Sequence, residues 1–160
     1  NIMFDVTGKD MSDIEKRLES ILPFGYQPKD IHIVWVLTNY HIAVKANQNR
    51  ERIVPDDILL KTHKGAGKTF MEIVQKGLPK NVDGSVHVIL NNRENTVFAK
   101  NDDGTVNMDV VQDFVRLILK KEGKKMRNDD AAMKQLRDWL VGNLPKEDEL
   151  QKDIDITFKR

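Results

Sequence analysis

The stretch Ile31-His32-Ile33-Val34-Trp35-Val36-Leu37 constrains the fold more than any other part of the sequence. β-Branched and aromatic residues pack well on a pleated surface, and an apolar run this short is a strand rather than a helix. With almost no polar alternation, it is expected to lie centrally in a sheet covered on both faces, as parallel strands in α/β proteins are.

The elements around this run fit an α/β order. Ile2 to Val6 reads as a short buried strand ending in the turn formers Thr7-Gly8-Lys9-Asp10, which puts Asp5 near its carboxyl end. Ser12, with Glu15 three residues on, has the form of a capping box, and Ile14, Leu18, Ile21 and Leu22 follow at helical spacing until Pro23 to Gly25. A second helix is expected from Asn39 to Asn49. A third opens at Pro55 and keeps a helical period through Phe70, Ile73 and Val74, with Gly77 and Pro79 as its stop. Strand, helix, strand and helix in that order favour crossover connections and a parallel sheet.

Further along, Val86 to Leu90 reads as a strand, and Thr96 to Ala99, followed by the turn Asn101 to Gly104, as part of a small hairpin. Val106, Val110, Val111, Phe114, Leu117 and Ile118 suggest an amphipathic helix. Ala131 to Val141 suggests another, and Ile154, Ile156 and Phe158 alternate like a short edge strand. The expected organisation is an α/β region over residues 1–100 and a helical C-terminal extension over residues 101–160. An opening directly on an apolar strand, with no cap or turn before it, suggests a portion of a longer protein.

The 160 residues suffice for one core, and 39% hydrophobic content is too much for a disordered chain. Twenty-six basic and 25 acidic side chains nearly cancel, so any electrostatic site must be local. Cysteine is absent, which excludes disulfides, thiolate metal sites and a cysteine nucleophile. No apolar run approaches the roughly 20 residues that span a bilayer, so no membrane partner is expected and a cytoplasmic address is preferred.

Gly65-Ala66-Gly67-Lys68-Thr69 ends like a phosphate-binding loop, in which glycines let backbone amides wrap phosphate oxygens while lysine and hydroxyl meet phosphate and magnesium. The full pattern needs a glycine where Thr62 stands and a buried strand upstream, where residues 56–62 look helical. A helix interior is the expected outcome.

Arg50 and Arg52 precede the proline-started helix, a pairing suited to anions because guanidinium forks grip phosphate bidentately. From Lys45 to Lys80 there are eight basic and four acidic residues, a local excess of four. A solvated loop is the plain alternative, and nucleic-acid binding through this stretch is another, though few aromatics accompany it for stacking.

Val34-Trp35-Val36-Leu37, a helix, then Asn49-Arg50-Glu51-Arg52-Ile53-Val54-Pro55-Asp56-Asp57-Ile58-Leu59 and His63-Lys64-Gly65 resemble the zeta-toxin-like branch of P-loop kinases. Phe4-Asp5-Val6-Thr7-Gly8 is similar to that family's inner strand, and Asn91-Asn92 to its strand-end asparagine. The resemblance implies a partial P-loop NTPase-like parallel sheet with flanking helices, the C-terminal portion of an ATP-dependent phosphotransferase whose phosphate-binding loop is missing. It implies that Arg50 and Arg52 clamp phosphate, that Asp5 holds Mg2+ with Thr7 beside it, and that Asn92 lies near the base of ATP. The acceptor is unspecified, and the missing loop would come from an upstream segment or a partner chain. A noncatalytic interaction module on a kinase-like scaffold competes with that reading.

His32, His41, His63 and His87 lack ligand spacing. Ser12, Ser20 and Ser85 lack the context of a nucleophile elbow. Asp102-Asp103-Gly104 reads as a turn rather than a calcium loop.

Overall fold

The computed structural model describes residues 2–92 and 94–159. Its elements are α1 (Met11–Ile21), β1 (Ile33–Leu37), α2 (Tyr40–Gln48), α3 (Asp56–Lys76), β2 (Val86–Leu90), β3 (Thr96–Lys100), β4 (Val106–Glu122), β5 (Lys125–Arg127), α4 (Asp130–Asn143) and α5 (Asp148–Thr157).

The fold is α/β with a mixed sheet ordered β1-β2-β4-β3, and β5 pairs with β4. β1 and β2 are parallel, from Ile33 opposite Val86 to Leu37 opposite Leu90, and α2 and α3 lie in the connection between them. The other pairings are antiparallel. Parallel character is therefore confined to the first two strands.

Alternation explains which face holds the core. Trp35 and Leu37 of β1, Val86, Val88 and Leu90 of β2, and Leu117 and Leu119 of β4 point to one side. There they meet Phe70, Ile73 and Val74 of α3, Leu136 and Leu140 of α4, and Leu150 and Ile154 of α5. The opposite side carries Val34 and Val36, 59% and 55% exposed, beside His87 and Ile89. A second apolar cluster, Leu18, Ile21, Ile31 and Val82, seats α1 against the approach to the sheet.

Several sequence expectations need correction. The run at 31–37 is an edge strand with one exposed face, because no strand among the described residues pairs with its other side. Residues 2–6 form no strand, and their side chains are exposed. α1 takes its N-cap from Asp10, whose carboxylate accepts from Asp13 N at 3.0 Å, while Ser12 donates to the same oxygen at 2.7 Å.

Val106 to Ile118 is strand, not helix. Its β-branched residues serve the antiparallel ladders to β2 and β3, so β2 and β4 are hydrogen-bonded neighbours across residues 100 and 101. The hairpin is β3–β4, closed by the 101–105 turn, where Asp103 accepts from Thr105 N at 2.9 Å. Residues 148–157 are helix, with Leu150, Ile154 and Thr157 buried at helical spacing where an edge strand was expected.

The phosphate-loop lookalike lies in the interior of α3. Its glycines answer to packing: a Cβ at Gly65 would overlap the Lys9 carbonyl oxygen, and one at Gly67 would sit 3.2 Å from Leu144 Cδ1. Lys68 is paired with Glu149 at 2.9 Å.

Candidate functional site

An open groove of about 810 Å³ lies where β1 and β2 end. Open α/β sheets place ligands outside the carboxyl ends of their parallel strands, because loops and helix ends converge there. Val36 belongs to β1 and Thr38 follows it, while Asn91 and Asn92 follow β2. Ile42, Ala43 and Ala46 come from α2, Leu59 and His63 from the start of α3, and Phe98, Val106 and Met108 from the β3–β4 hairpin.

Asparagines organise the floor. Asn39 caps α2 by accepting from His41 N at 2.8 Å and Ile42 N at 3.2 Å. Asn92, 3% exposed, accepts from Asn39 N at 2.9 Å and donates to Asn143 Oδ1 at 2.8 Å and Glu94 Oε1 at 3.2 Å. Asn39 Nδ2 meets the same Asn143 oxygen at 2.9 Å, tying the ends of β1, β2 and α4 together. Asn92 is thus placed in the groove, but its amide is used by protein partners.

Asn91 donates to Thr38 Oγ1 at 3.2 Å and accepts from Thr96 Oγ1 at 3.2 Å. With an acceptor lone pair already used, the Thr38 hydroxyl keeps a proton to donate.

Asn47 is 3% exposed and governs Arg50. Its Nδ2 donates to Val54 O at 2.7 Å, and its Oδ1 accepts from Val54 N at 3.0 Å. The same oxygen accepts from Arg50 Nε at 3.0 Å and Nη2 at 2.7 Å. Two of five guanidinium protons are thereby committed, leaving three for a ligand. Arg50 is the only charged residue among the described lining of the groove. Burial pushes the His63 imidazole below its ordinary pKa, favouring the neutral form, and Tyr40 packs edge-on against it at 5.4 Å.

The other residues singled out from sequence lie apart from this lining. Arg52 is exposed in the 49–55 connection, and Asp5 and Thr7 are exposed in the coil before α1. Among the described residues, no group of three or more His, Asp or Glu side chains could hold a metal, and no helix is long and apolar enough to cross a membrane.

Sequence spacing missed one cluster, because its members meet only through the β1–β2 pairing. Ser85 Oγ lies 3.0 Å from His32 Nδ1 and 2.9 Å from His87 Nε2. Ser85 N donates to His32 Nδ1 at 3.0 Å, so that nitrogen is an acceptor and the ring proton sits on Nε2. Burial, with the nearby charge of Arg116, pulls the His87 pKa down. The cluster joins the amino ends of the two strands, opposite the groove. Signals for the groove itself were legible only in part: Arg50 stood out, whereas Asn47 is one of many asparagines until its burial is seen.

Comparison of the chain with family models, curated proteins and solved structures finds no match.

Proposed function

We propose that the groove binds a mostly apolar molecule carrying one anionic group, and that the chain is a noncatalytic binding module on a kinase-like α/β scaffold. The carrying observation is the state of Arg50: half of its fork is anchored on a buried amide oxygen, and the rest faces a groove with no other charge among its described lining. A fixed guanidinium loses less entropy on binding and suits planar oxyanions. Apolar walls cover the hydrocarbon part of the ligand, and the free Thr38 proton adds a neutral donor. Isothermal calorimetry with an aryl carboxylate and its carboxamide tests this. The carboxylate should bind at least about tenfold tighter, the range of a charge-assisted hydrogen bond, and Arg50→Ala should erase the difference. Equal binding of the two probes would end the proposal.

A second reading is the ATP-dependent phosphotransferase, favoured by the position of the groove at the ends of two parallel strands. In it Arg50 and Arg52 hold phosphate, Asp5 holds Mg2+ with Thr7 beside it, and Asn92 lies near the base. These residues include no complete phosphate-binding loop. Titration with ATP and Mg2+ decides: binding weakened by both Arg50→Ala and Asp5→Ala supports it, and no binding removes it for this chain.

A further inference from the structure

The free edge of β1 leads into the groove. In a parallel ladder, alternate residues point their backbone groups to opposite sides. Ile33 N donates to Ser85 O at 3.1 Å, and Asn91 N donates to Leu37 O at 2.7 Å, so Ile33, Trp35 and Leu37 face β2. The N–H and C=O groups of Val34 and Val36 therefore face the other way, where no strand among the described residues pairs with them. Unpaired edges are templates for an added strand, and native proteins usually blunt them with charge, proline or a bulge. This edge has none of these: residues 33–37 are Ile-Val-Trp-Val-Leu, regular in register.

Val36 belongs to both features, since its backbone lies on the open edge and it also lines the groove. A strand added parallel to β1 runs in the same direction, so its carboxyl end arrives at the groove that Val36, Thr38 and Arg50 line. There, Ile42, Leu59, Val106 and Met108 offer an apolar wall.

Resting on the groove reading above, we propose that the ligand is the C-terminus of an extended polypeptide. It adds as a parallel strand to β1, with its terminal carboxylate on Arg50 and its last side chain, an apolar one, in the groove. Backbone hydrogen bonds to Val34 and Val36 supply sequence-independent attachment. The carboxylate and the apolar terminal residue supply selectivity, as expected for strand-addition recognition.

The test uses a heptapeptide of alternating threonine and valine with an N-terminal lysine and a C-terminal leucine, as the free acid, as the C-terminal amide, and as the free acid with alternate backbone nitrogens methylated. Binding to the full chain is read by two-dimensional NMR. The free acid should shift the Val34 and Val36 amides together with Thr38 and Asn91. The amide should bind at least about tenfold more weakly. The methylated acid should lose the shifts at Val34 and Val36 and those at Thr38 and Asn91, with the protein unaltered. Val34→Pro, at an exposed edge position that tolerates proline, should abolish the shifts that the free acid causes at Val36, Thr38 and Asn91.

An aryl carboxylate that binds while the peptide acid does not would overturn strand addition and leave the groove reading standing. Peptide binding that is indifferent to the terminal carboxylate and to Arg50→Ala would overturn both. Shifts at Thr38 and Asn91 that survive methylation would reduce the ligand to a carboxylate with no strand and refute the proposal.

Discussion

Gly65→Ala and Gly67→Ala separate a packing role for α3 from a phosphate-loop role. Both substitutions replace glycine inside a helix, which by propensity alone adds about 1 kcal/mol of stability. At Gly65 the new methyl overlaps the Lys9 carbonyl oxygen and lies 3.2 Å from the Lys9 carbonyl carbon. Backbone must then shift, and Lys9 follows Gly8, which lies against the Trp35 ring. Overpacking of this kind costs about 1–3 kcal/mol, at the upper end when the obstacle is main chain, so the net effect is a loss of about 1–2 kcal/mol. At Gly67 the obstacle is the end of the Leu144 side chain at 3.2 Å, which can rotate by a few tenths of an ångström. The helix gain then survives, and Gly67→Ala is neutral or stabilising by up to about 1 kcal/mol. Thermal denaturation followed by circular dichroism should place Gly65→Ala about 2–8 °C below the wild type and Gly67→Ala at or above it. The reverse order, or equal losses at both positions, would refute the close-approach argument.

Asn47→Ala removes two backbone bonds to Val54 and frees Arg50, and should cost about 2–3 kcal/mol in urea unfolding while weakening carboxylate binding. Gly84→Ala puts a methyl onto the Ile31 carbonyl oxygen and close to His32 Nδ1, and should lower the urea midpoint more than Gly67→Ala changes it. Phe70→Ala, at a side chain with 0% exposure, should cost about 3–5 kcal/mol by the same assay. His63 and His87 have folded pKa values below their unfolded ones, so the unfolded chain binds more protons near pH 6 and stability rises with pH there. The melting temperature should fall on acidification through about pH 6.5, less steeply in His63→Gln; a flat profile would contradict the burial of His63.

Sequence pattern resolved the elements whose spacing admits one period. α3 carries Phe70, Ile73 and Val74 with Pro55 at its start and Gly77 at its end, and β2 reads as five apolar or aromatic residues between turns. β4 misled because Val106, Val110, Phe114, Leu117 and Ile118 satisfy a helical period, while its actual partners, β2 and β3, are tertiary facts. Only its last part alternates visibly, with Leu117 and Leu119 buried. The tail misled in the opposite direction: Ile154, Ile156 and Phe158 alternate, but Leu150 and Ile154 set the buried stripe of α5. β1 was legible as a strand, though not as an edge, because a run apolar at every position hides which side is open. Of the groove, Arg50 and Asn92 were legible as polar residues after strands or helices. The Asn47 clamp was not, since Val54 lies seven positions further along and only burial makes its amide decisive.

At the rim of the apolar groove stands a guanidinium with two of its five protons committed to Asn47. The most direct test of this arrangement is the NMR signal of Arg50 Nε during titration with an aryl carboxylate. The prediction is a slowly exchanging Nε proton already in the free protein, retained by the Asn47 oxygen, and a further saturable shift accompanied by Thr38 and Asn91. A free-protein Nε signal lost to rapid solvent exchange, with no carboxylate-dependent shift at Thr38 or Asn91, would contradict it.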